Sequence, residues 1–475
     1  MNRRSSAIGR LERGRSDRRR LIVFLAFIAM VFALGGGARD DIQSLLLLRP
    51  AAVGFAAWAL IVAAPGEMKA VRTPLALLIA LLALVALQLV PLPPTLWHAL
   101  PGREAIARRD ALVGLGDLWR PLSLSPSKTW NSLVSLAVPL AALLVAAVQP
   151  AAHRLRLVEA ILIAAAVSAV LGLAQVMGPE DGPLYLYSIT NQGTAVGLFA
   201  NRNHHAAFLA ATFPLLGWYF LFAVRSELLL SRPWVASVSV SAGLWVLVEM
   251  MTGSRAGLVL FALAMGIVFL LFLTAVKQGR FGQNRRKPMP FASARARIGL
   301  GVGVVAAMAV TVWIVPRLPV FQRFGADAYA TDVRFSAAPT VFRMALDAFP
   351  AGIGFGAFEH VFKAYEPDAL LKASYFNQAH DDFLQLAAEA GLPGLLLLGL
   401  AMAFLLARIR ALLPWLRRAE PDAWLAVTSL ASLGLFALAS VVDYPLRSPS
   451  LMALAILLVG FTHYPSHPQQ SDERR

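Results

Sequence analysis

The chain has 475 residues, of which 58% are hydrophobic and 15% charged, and its formal net charge is +16. With a mean hydropathy of +0.64, this composition excludes a soluble globular domain and indicates a polytopic membrane protein. The basic residues are divided among many loops and do not form one stripe, which argues against nucleic-acid binding. The chain has no cysteine, so any segment folded outside the membrane must hold together without disulfides.

The apolar runs predict an all-α fold with about twelve transmembrane helices, since a helix needs about 20 apolar residues to cross a bilayer. In chain order these runs lie near residues 21–37, 43–64, 74–92, 131–148, 156–177, 203–223, 234–251, 255–275, 297–316, 389–408, 423–441 and 449–463. Eight arginines lie within residues 1–20, and because cytoplasmic loops carry the positive excess, we place the amino terminus in the cytoplasm.

The long connections indicate where function resides. The longest, residues 317–388, contains thirteen phenylalanines and tyrosines, too many to remain solvated, so we expect it to fold back as a helical cap. Within it, residues 341–349 have helical spacing and are followed by a glycine-rich turn at 350–356. The expected organisation is a basic cytoplasmic tail (1–20), transmembrane helices (21–180), a second transmembrane region that includes the cap (181–463) and a cytoplasmic tail (464–475).

Three polar clusters end apolar runs, and all three fall on the non-cytoplasmic side when the chain is threaded through the membrane. They are Asn201-Arg202-Asn203-His204-His205, Thr252-Gly253-Ser254-Arg255 and His380-Asp381-Asp382-Phe383-Leu384-Gln385. Each also has a structural explanation: an arginine can extend to the lipid headgroups, Ser254 can cap a helix, and an interfacial histidine is often structural. Together, two arginines and a histidine at one face suggest a site that binds a lipid-linked phosphate and moves a proton.

The same clusters do not predict a metal site. His204 and His205 are adjacent and point in different directions on a helix, so one ion cannot easily bind both. The pair Asp381 and Asp382 offers fewer oxygens than a divalent ion normally takes.

The chain resembles the O-antigen ligase and polymerase family over roughly residues 190–460. The resemblance is carried by the segments 199–204 (FANRNH), 252–257 (TGSRAG), 352–356 (GIGFG), 379–394 (AHDDFLQLAAEAGLPG) and 443–449 (DYPLRSP). It implies a GT-C-like membrane glycosyltransferase of the bacterial inner membrane, with its active site facing the periplasm. The enzyme would use an undecaprenyl-diphosphate-linked glycan donor and a saccharide or lipid A-core acceptor, without a cofactor or metal.

The resemblance also implies residue roles. Arg202 and Arg255 match the diphosphate-binding arginines, and His380 matches the proposed catalytic base. From the chemistry of the neighbouring carboxylates, we expect Asp381 or Asp382 to orient or charge the His380 imidazole. The supporting residues are Asn201, Asn203, His204, Ser254, Asp381, Asp382, Gln385 and Arg447. Other expected partners are the lipid bilayer and polysaccharide-assembly proteins.

Alternatives to this interpretation are a polytopic solute transporter, which also fits about twelve spans, and a non-catalytic assembly scaffold. Against the transporter, the charged clusters gather at one face and not at the midplane. Within the family, the sequence leaves open whether the enzyme is an O-antigen or exopolysaccharide ligase, a polymerase or a protein glycosyltransferase.

Overall fold

The computed structural model describes residues 2–226, 232–277, 333–371, 376–418 and 421–463, and these residues are mostly helical. In chain order the described helices are α1 (Asn2–Leu34), α2 (Leu45–Val62), α3 (Arg72–Leu87), α4 (Pro94–His98), α5 (Glu104–Leu112), α6 (Pro126–Ser135), α7 (Ala137–Ala147), α8 (Arg154–Met177), α9 (Arg202–Ser226), α10 (Arg232–Thr252), α11 (Arg255–Lys277), α12 (Val333–Asp347), α13 (Phe358–Phe362), α14 (Asp382–Arg418), α15 (Pro421–Ala439) and α16 (Pro449–Phe461). Two-residue strands β1 (Pro91–Leu92) and β2 (Arg120–Pro121) pair antiparallel.

The protein is a helical membrane protein. Among the described residues, five segments are long and apolar enough to cross a bilayer: Leu45–Val62, Pro126–Ala147, Ala151–Met177, Arg255–Ala275 and Asp382–Pro414. Four shorter apolar helices accompany them: Arg72–Leu87, Ser237–Thr252, Ala423–Ala439 and Pro449–Phe461. Each run predicted to span the membrane overlaps one of the described helices, except 297–316, which lies outside the described residues. The number of twelve stays a prediction.

Helix α9 is the centre of the main core, where it packs against α8, α10, α11 and α15. Its crossing with α11 is very close, because a Cβ added to Gly257 would lie 2.3 Å from the Cβ of Ala206. Small residues allow two helix backbones to approach in this way inside a membrane. Since Ala206 and Gly257 each lie in the first turn or so of their helices, the amino termini of α9 and α11 are brought side by side.

A second, smaller core lies between α12, α13 and the beginning of α14. Its centre is an aromatic cluster in which the rings of Phe358 and Phe362 stack at 5.3 Å and the ring of Phe376 lies 5.1 Å from Phe362. The helix predicted at 341–349 overlaps the second half of α12, which ends at Asp347, with Met344 buried and Phe342 exposed. The described part of the long connection is therefore helical and packed, while the periplasmic placement of a cap stays a prediction.

The segment 88–125 connects this small core to the membrane helices through hydrogen bonds. Gln88 accepts a hydrogen bond from the Phe355 amide (2.8 Å) and donates one to the Glu389 carbonyl (3.1 Å). The Arg103 guanidinium is fully buried and donates to the carbonyls of Leu122 (2.8 Å) and Gly352 (2.7 Å). These bonds fix the glycine-rich turn 350–356 against α14, so the amino terminus of α14 has a defined position.

Candidate functional site

Arg202 and Arg255 are the first residues of α9 and α11, whose amino termini lie side by side. The turn before Arg255 is built as the sequence predicts. Gly253 has a φ of 64°, and the Ser254 hydroxyl accepts a hydrogen bond from the Gly257 amide at 3.0 Å, which caps α11. The cap and the bend thus have structural roles, and they also fix the direction in which Arg255 leaves the helix.

A third arginine joins this pair. Burial lowers the pKa of Arg202, and the charges of Arg334 and Arg255 lower it further, so both of these side chains lie within electrostatic range of Arg202. Arg334 comes from the beginning of α12 and donates a hydrogen bond to the Val442 carbonyl at 3.0 Å. Sequence reasoning missed Arg334, because it lies inside the long connection 317–388 and not at the end of an apolar run. Three positive charges at one place, beside a helix amino terminus, favour an anion.

His380 is paired with a buried carboxylate, Asp443. The imidazole Nδ1 lies 3.2 Å from Asp443 Oδ1, and the Asp443 side chain is 6% exposed. Burial raises the pKa of Asp443, but the His380 hydrogen bond and the nearby charges of His204 and Arg334 outweigh it and lower the pKa to about 2. Asp443 is therefore a stable anion, able to hold the His380 ring in one orientation and to stabilise it when protonated.

The backbone of His380 is in an unusual conformation, with a φ of 55°. A residue other than glycine seldom adopts a positive φ, and where it does, the surrounding contacts hold it there. Hydrogen bonds on both sides of His380 hold its backbone in this conformation. The Ala379 amide donates to Gln385 Oε1 (2.8 Å), and the Asp382 amide donates to the Ser440 carbonyl (2.8 Å). The predicted supporting residue Gln385 thus positions the loop that carries His380.

Tyr444 lies between the two histidines of the site. Its ring centroid is 4.9 Å from that of His380 and 5.1 Å from that of His204, both edge to face. The phenol hydroxyl is hydrogen-bonded to the side chains of Asn377 and Asn201, and burial raises its pKa to about 12. Tyr444 therefore connects the cluster 201–205 with the loop that precedes α14.

The remaining members of the first cluster have local roles in the structure. Asn201 Oδ1 accepts a hydrogen bond from the Asn203 amide at 2.8 Å, at the beginning of α9. His204 is 1% exposed, and neither of its ring nitrogens has a hydrogen-bond partner within the described part of the chain. Its neighbour His205 is also buried and bonds through Nδ1 to the Ala195 carbonyl at 2.8 Å, away from His380.

The structure corrects the expectation that Asp381 or Asp382 orients His380. Asp381 Oδ1 accepts hydrogen bonds from the amides of Phe383 (3.0 Å) and Leu384 (2.9 Å), so it caps α14. Asp382 instead accepts from Ser440 Oγ at 3.0 Å and pairs with the Arg447 guanidinium at 3.3 Å. The partner of His380 is Asp443, sixty-three positions later in the chain.

Arg447 is bound by carboxylates. Besides Asp382, it pairs with the fully buried Glu389 at 3.1 Å, and Glu389 also accepts a hydrogen bond from Gln385 at 2.9 Å. Burial lowers the pKa of Arg447, but the two carboxylates outweigh it and raise the pKa. The guanidinium therefore neutralises two acids of α14, and its supporting role at the site stays a prediction.

Part of the chain matches the model of a known family. Residues 238–399 match the family model described as O-antigen ligase. The chain carries an O-antigen ligase domain. The resemblance to the O-antigen ligase and polymerase family is thus confirmed, and this domain includes Arg255, Arg334 and His380, whereas Arg202 and Asp443 lie outside it. No curated protein matches the chain.

The O-antigen ligase domain and its flanking helices hold no cluster of three or more His, Cys, Asp or Glu side chains suited to a metal ion, as far as the described residues extend. What the site offers is positive charge on three guanidinium groups and one imidazole with a fixed carboxylate partner. Such a set can bind an anion and accept a proton.

Proposed function

We propose that the protein is a membrane glycosyltransferase that acts at the periplasmic face of the bacterial inner membrane. It transfers a glycan from an undecaprenyl-diphosphate-linked donor to a saccharide acceptor. The observation that carries the proposal is the pairing of His380 with Asp443. The charge of Arg334 acts both on Asp443 and on Arg202, which relates this pair to the arginines. The O-antigen ligase domain supports this reaction class, and the distribution of Lys and Arg over the loops supports the orientation.

The arginines bind the donor. Arg202 lies within electrostatic range of both Arg255 and Arg334, and guanidinium groups match the oxygens of a phosphate with paired donors. As the glycosidic bond to the diphosphate breaks, negative charge grows on the leaving oxygen. Positive groups placed in advance stabilise that charge and so lower the barrier. With this charge supplied by the protein, the reaction does not require a divalent metal.

His380 activates the acceptor. Its Nδ1 donates to Asp443, which leaves Nε2 to accept the proton of the acceptor hydroxyl. The acceptor oxygen forms a bond to the anomeric carbon while the bond from that carbon to the diphosphate oxygen breaks. The electron pair of that bond leaves with the diphosphate, and the proton stays on the imidazolium beside Asp443. One direct displacement of this kind inverts the anomeric centre.

The test uses a deletion strain of the source bacterium together with purified protein in vesicles. The variants Arg202→Ala, Arg255→Ala, His380→Ala and Asp443→Asn are compared with two controls, Arg156→Ala and His98→Ala, whose side chains are exposed. We expect His380→Ala and Asp443→Asn to lower transfer by about 10²- to 10⁴-fold, the usual contribution of a general base. The controls should restore the surface glycan fully. EDTA should leave transfer by the wild-type protein unchanged.

The products separate the subtypes. Loss of chain length with single repeat units still attached indicates a polymerase, and unattached polymer accumulating on its carrier indicates a ligase. Transfer at the wild-type rate by both His380→Ala and Asp443→Asn would overturn the proposed base. An unchanged surface glycan with altered solute uptake in the deletion strain would favour a transporter.

A further inference from the structure

An exposed apolar loop at the end of α5 has no role in the chemistry above. We call residues 112–119 the tip. It carries one charged residue, Asp117, and five large apolar side chains that are between 43% and 87% exposed: Leu112, Val113, Leu115, Leu118 and Trp119. A cluster of apolar side chains on a protein surface usually marks a contact with a membrane or with another protein.

The base of the tip is held in one conformation. Asp110 is buried and pairs with Arg120 at 2.7 Å, so a salt bridge joins the two ends of the loop. The Leu115 amide donates a hydrogen bond to the Asp110 carbonyl at 2.8 Å, and Gly114 makes the turn with a φ of 74°. The Arg120 guanidinium also lies over the Trp97 ring, 5.8 Å from its centroid. The base therefore keeps the apolar side chains of the tip on the outside of the protein.

The tip is tied to the ends of two membrane helices. Its last residue, Trp119, precedes β2, and the pairing of β2 with β1 places Arg120 opposite Leu92, five residues after the end of α3. On the other side, the candidate span Pro126–Ala147 begins seven residues after Trp119. Since one residue extends the chain by at most about 3.5 Å, Trp119 lies within about 25 Å of the beginning of this span. Both ends of the segment are thus held near the same surface of the membrane.

The composition of the tip matches lipid. Its aliphatic side chains are exposed to a degree also found on the outer face of α2, where Leu46 and Ile61 are 77% and 82% exposed. Trp119 is of the residue type that is enriched where acyl chains meet head groups. One turn before the tip, Arg108 and Arg109 are exposed and can approach anionic phosphates. Leucine and tryptophan beside arginine are typical of segments that lie in the membrane interface.

We infer that the tip inserts into the membrane leaflet in which α3 ends, with its aliphatic side chains among the acyl chains and Trp119 at the level of the head groups. The same segment holds part of the site. Arg103, one residue before α5, donates a hydrogen bond to the Gly352 carbonyl at 2.7 Å, in the glycine-rich turn that bonds to α14. The lipid contact therefore anchors the segment 88–125 and, through it, this turn. The inference does not depend on the proposed reaction, because no step of that reaction uses the tip.

The experiment measures the depth of the tip with spin labels. Because the chain has no cysteine, single cysteines can be introduced into the full-length protein and labelled with a nitroxide. Val113→Cys and Leu115→Cys report on the tip, Ile61→Cys on the lipid-facing surface of α2, and Asp368→Cys on an exposed polar position elsewhere. The proteins are reconstituted in vesicles of phosphatidylethanolamine and phosphatidylglycerol. Electron paramagnetic resonance then measures collisions of each label with oxygen, which concentrates in hydrocarbon, and with a water-soluble nickel complex.

We expect the labels at Val113 and Leu115 to collide several-fold more often with oxygen than with the nickel complex, as the Ile61 label does. Their depth should be roughly 5–10 Å below the head groups. The Asp368 label should show the opposite preference. Frequent collisions of both tip labels with the nickel complex would place the tip in water, and rare collisions with both reagents would place it against protein. Either result would overturn the inference.

A charge introduced into the tip tests the anchoring. Leu118→Asp should reduce the oxygen collisions of the Leu115 label several-fold, because a carboxylate is poorly solvated among acyl chains. It should also speed limited proteolysis within residues 88–125 several-fold, since the segment loses its lipid contact. The matched control is Leu371→Asp, which replaces an exposed leucine outside the tip and should change neither readout. An unchanged depth in Leu118→Asp, or wild-type proteolysis despite a changed depth, would contradict the anchoring.

Discussion

Replacing Arg447 by methionine tests the electrostatic core of the site. The side chain pairs with Glu389, which is 0% exposed, and with Asp382, which is 16% exposed. Methionine keeps much of the volume but leaves two buried carboxylates without their counter-ion. Breaking a buried pair in this way typically costs about 3–5 kcal/mol, because the remaining charge is poorly solvated. The matched control is Arg39→Met, since Arg39 pairs with the exposed Asp41, and it should cost about 1 kcal/mol or less.

The free energy of unfolding is measured by denaturant titration in mixed detergent micelles. The double variant Arg447→Met, Glu389→Gln should recover part of the loss, because it removes one of the two unpaired charges. A coupling energy between the two positions of about 1 kcal/mol or more is expected for groups in direct contact. If Arg447→Met were no more destabilising than Arg39→Met, the Arg447 guanidinium would not be a structural counter-ion. A direct role of Arg447 in substrate binding would then be favoured.

Three further predictions follow from the geometry. Gly391→Ala should destabilise by about 2 kcal/mol or more in the same titration, because φ is 55° there and a Cβ would lie 2.1 Å from the Pro350 carbonyl oxygen. The control Gly399→Ala should not destabilise the protein, because a Cβ added at Gly399 meets open space. Tyr444→Phe should leave the shape of the pH–rate curve unchanged between about pH 6 and 9, because a phenol whose pKa is raised to about 12 keeps its proton there; a shifted curve would contradict this. Arg103→Ala should cost about 2–3 kcal/mol, since buried carbonyls lose their donor, and should speed limited proteolysis within residues 88–125; wild-type cleavage rates would contradict it.

The sequence predicts the positions of the apolar helices because hydropathy is a local property. A run of apolar residues must cross the bilayer as a helix whatever its neighbours are, since its backbone polar groups have no other partners there. Arg202, Arg255 and His380 could also be placed at one end of the bundle, because successive helices alternate in direction. What these local signals do not determine is which helix lies beside which.

The misassigned carboxylate illustrates this limit. Asp381 and Asp382 are adjacent to His380, and adjacency suggested a pair. At a helix amino terminus, however, free backbone amides compete for an aspartate, and Asp381 bonds to them. Asp443 reaches His380 only because the connection between α15 and α16 packs against the beginning of α14. Arg334 lies at the site for the same reason, because α12 packs there. No periodicity in the sequence reveals this packing.

The position of Gln88 has a practical consequence for protein engineering. This residue is remote from the segment 238–399, yet its one amide group holds both the Phe355 turn and the helix that follows His380. A chimera that transplants only 238–399 into a foreign set of membrane helices would leave that turn unsupported. Exchanging substrate preference between two such proteins therefore requires transferring residues 88–125 together with residues 238–399.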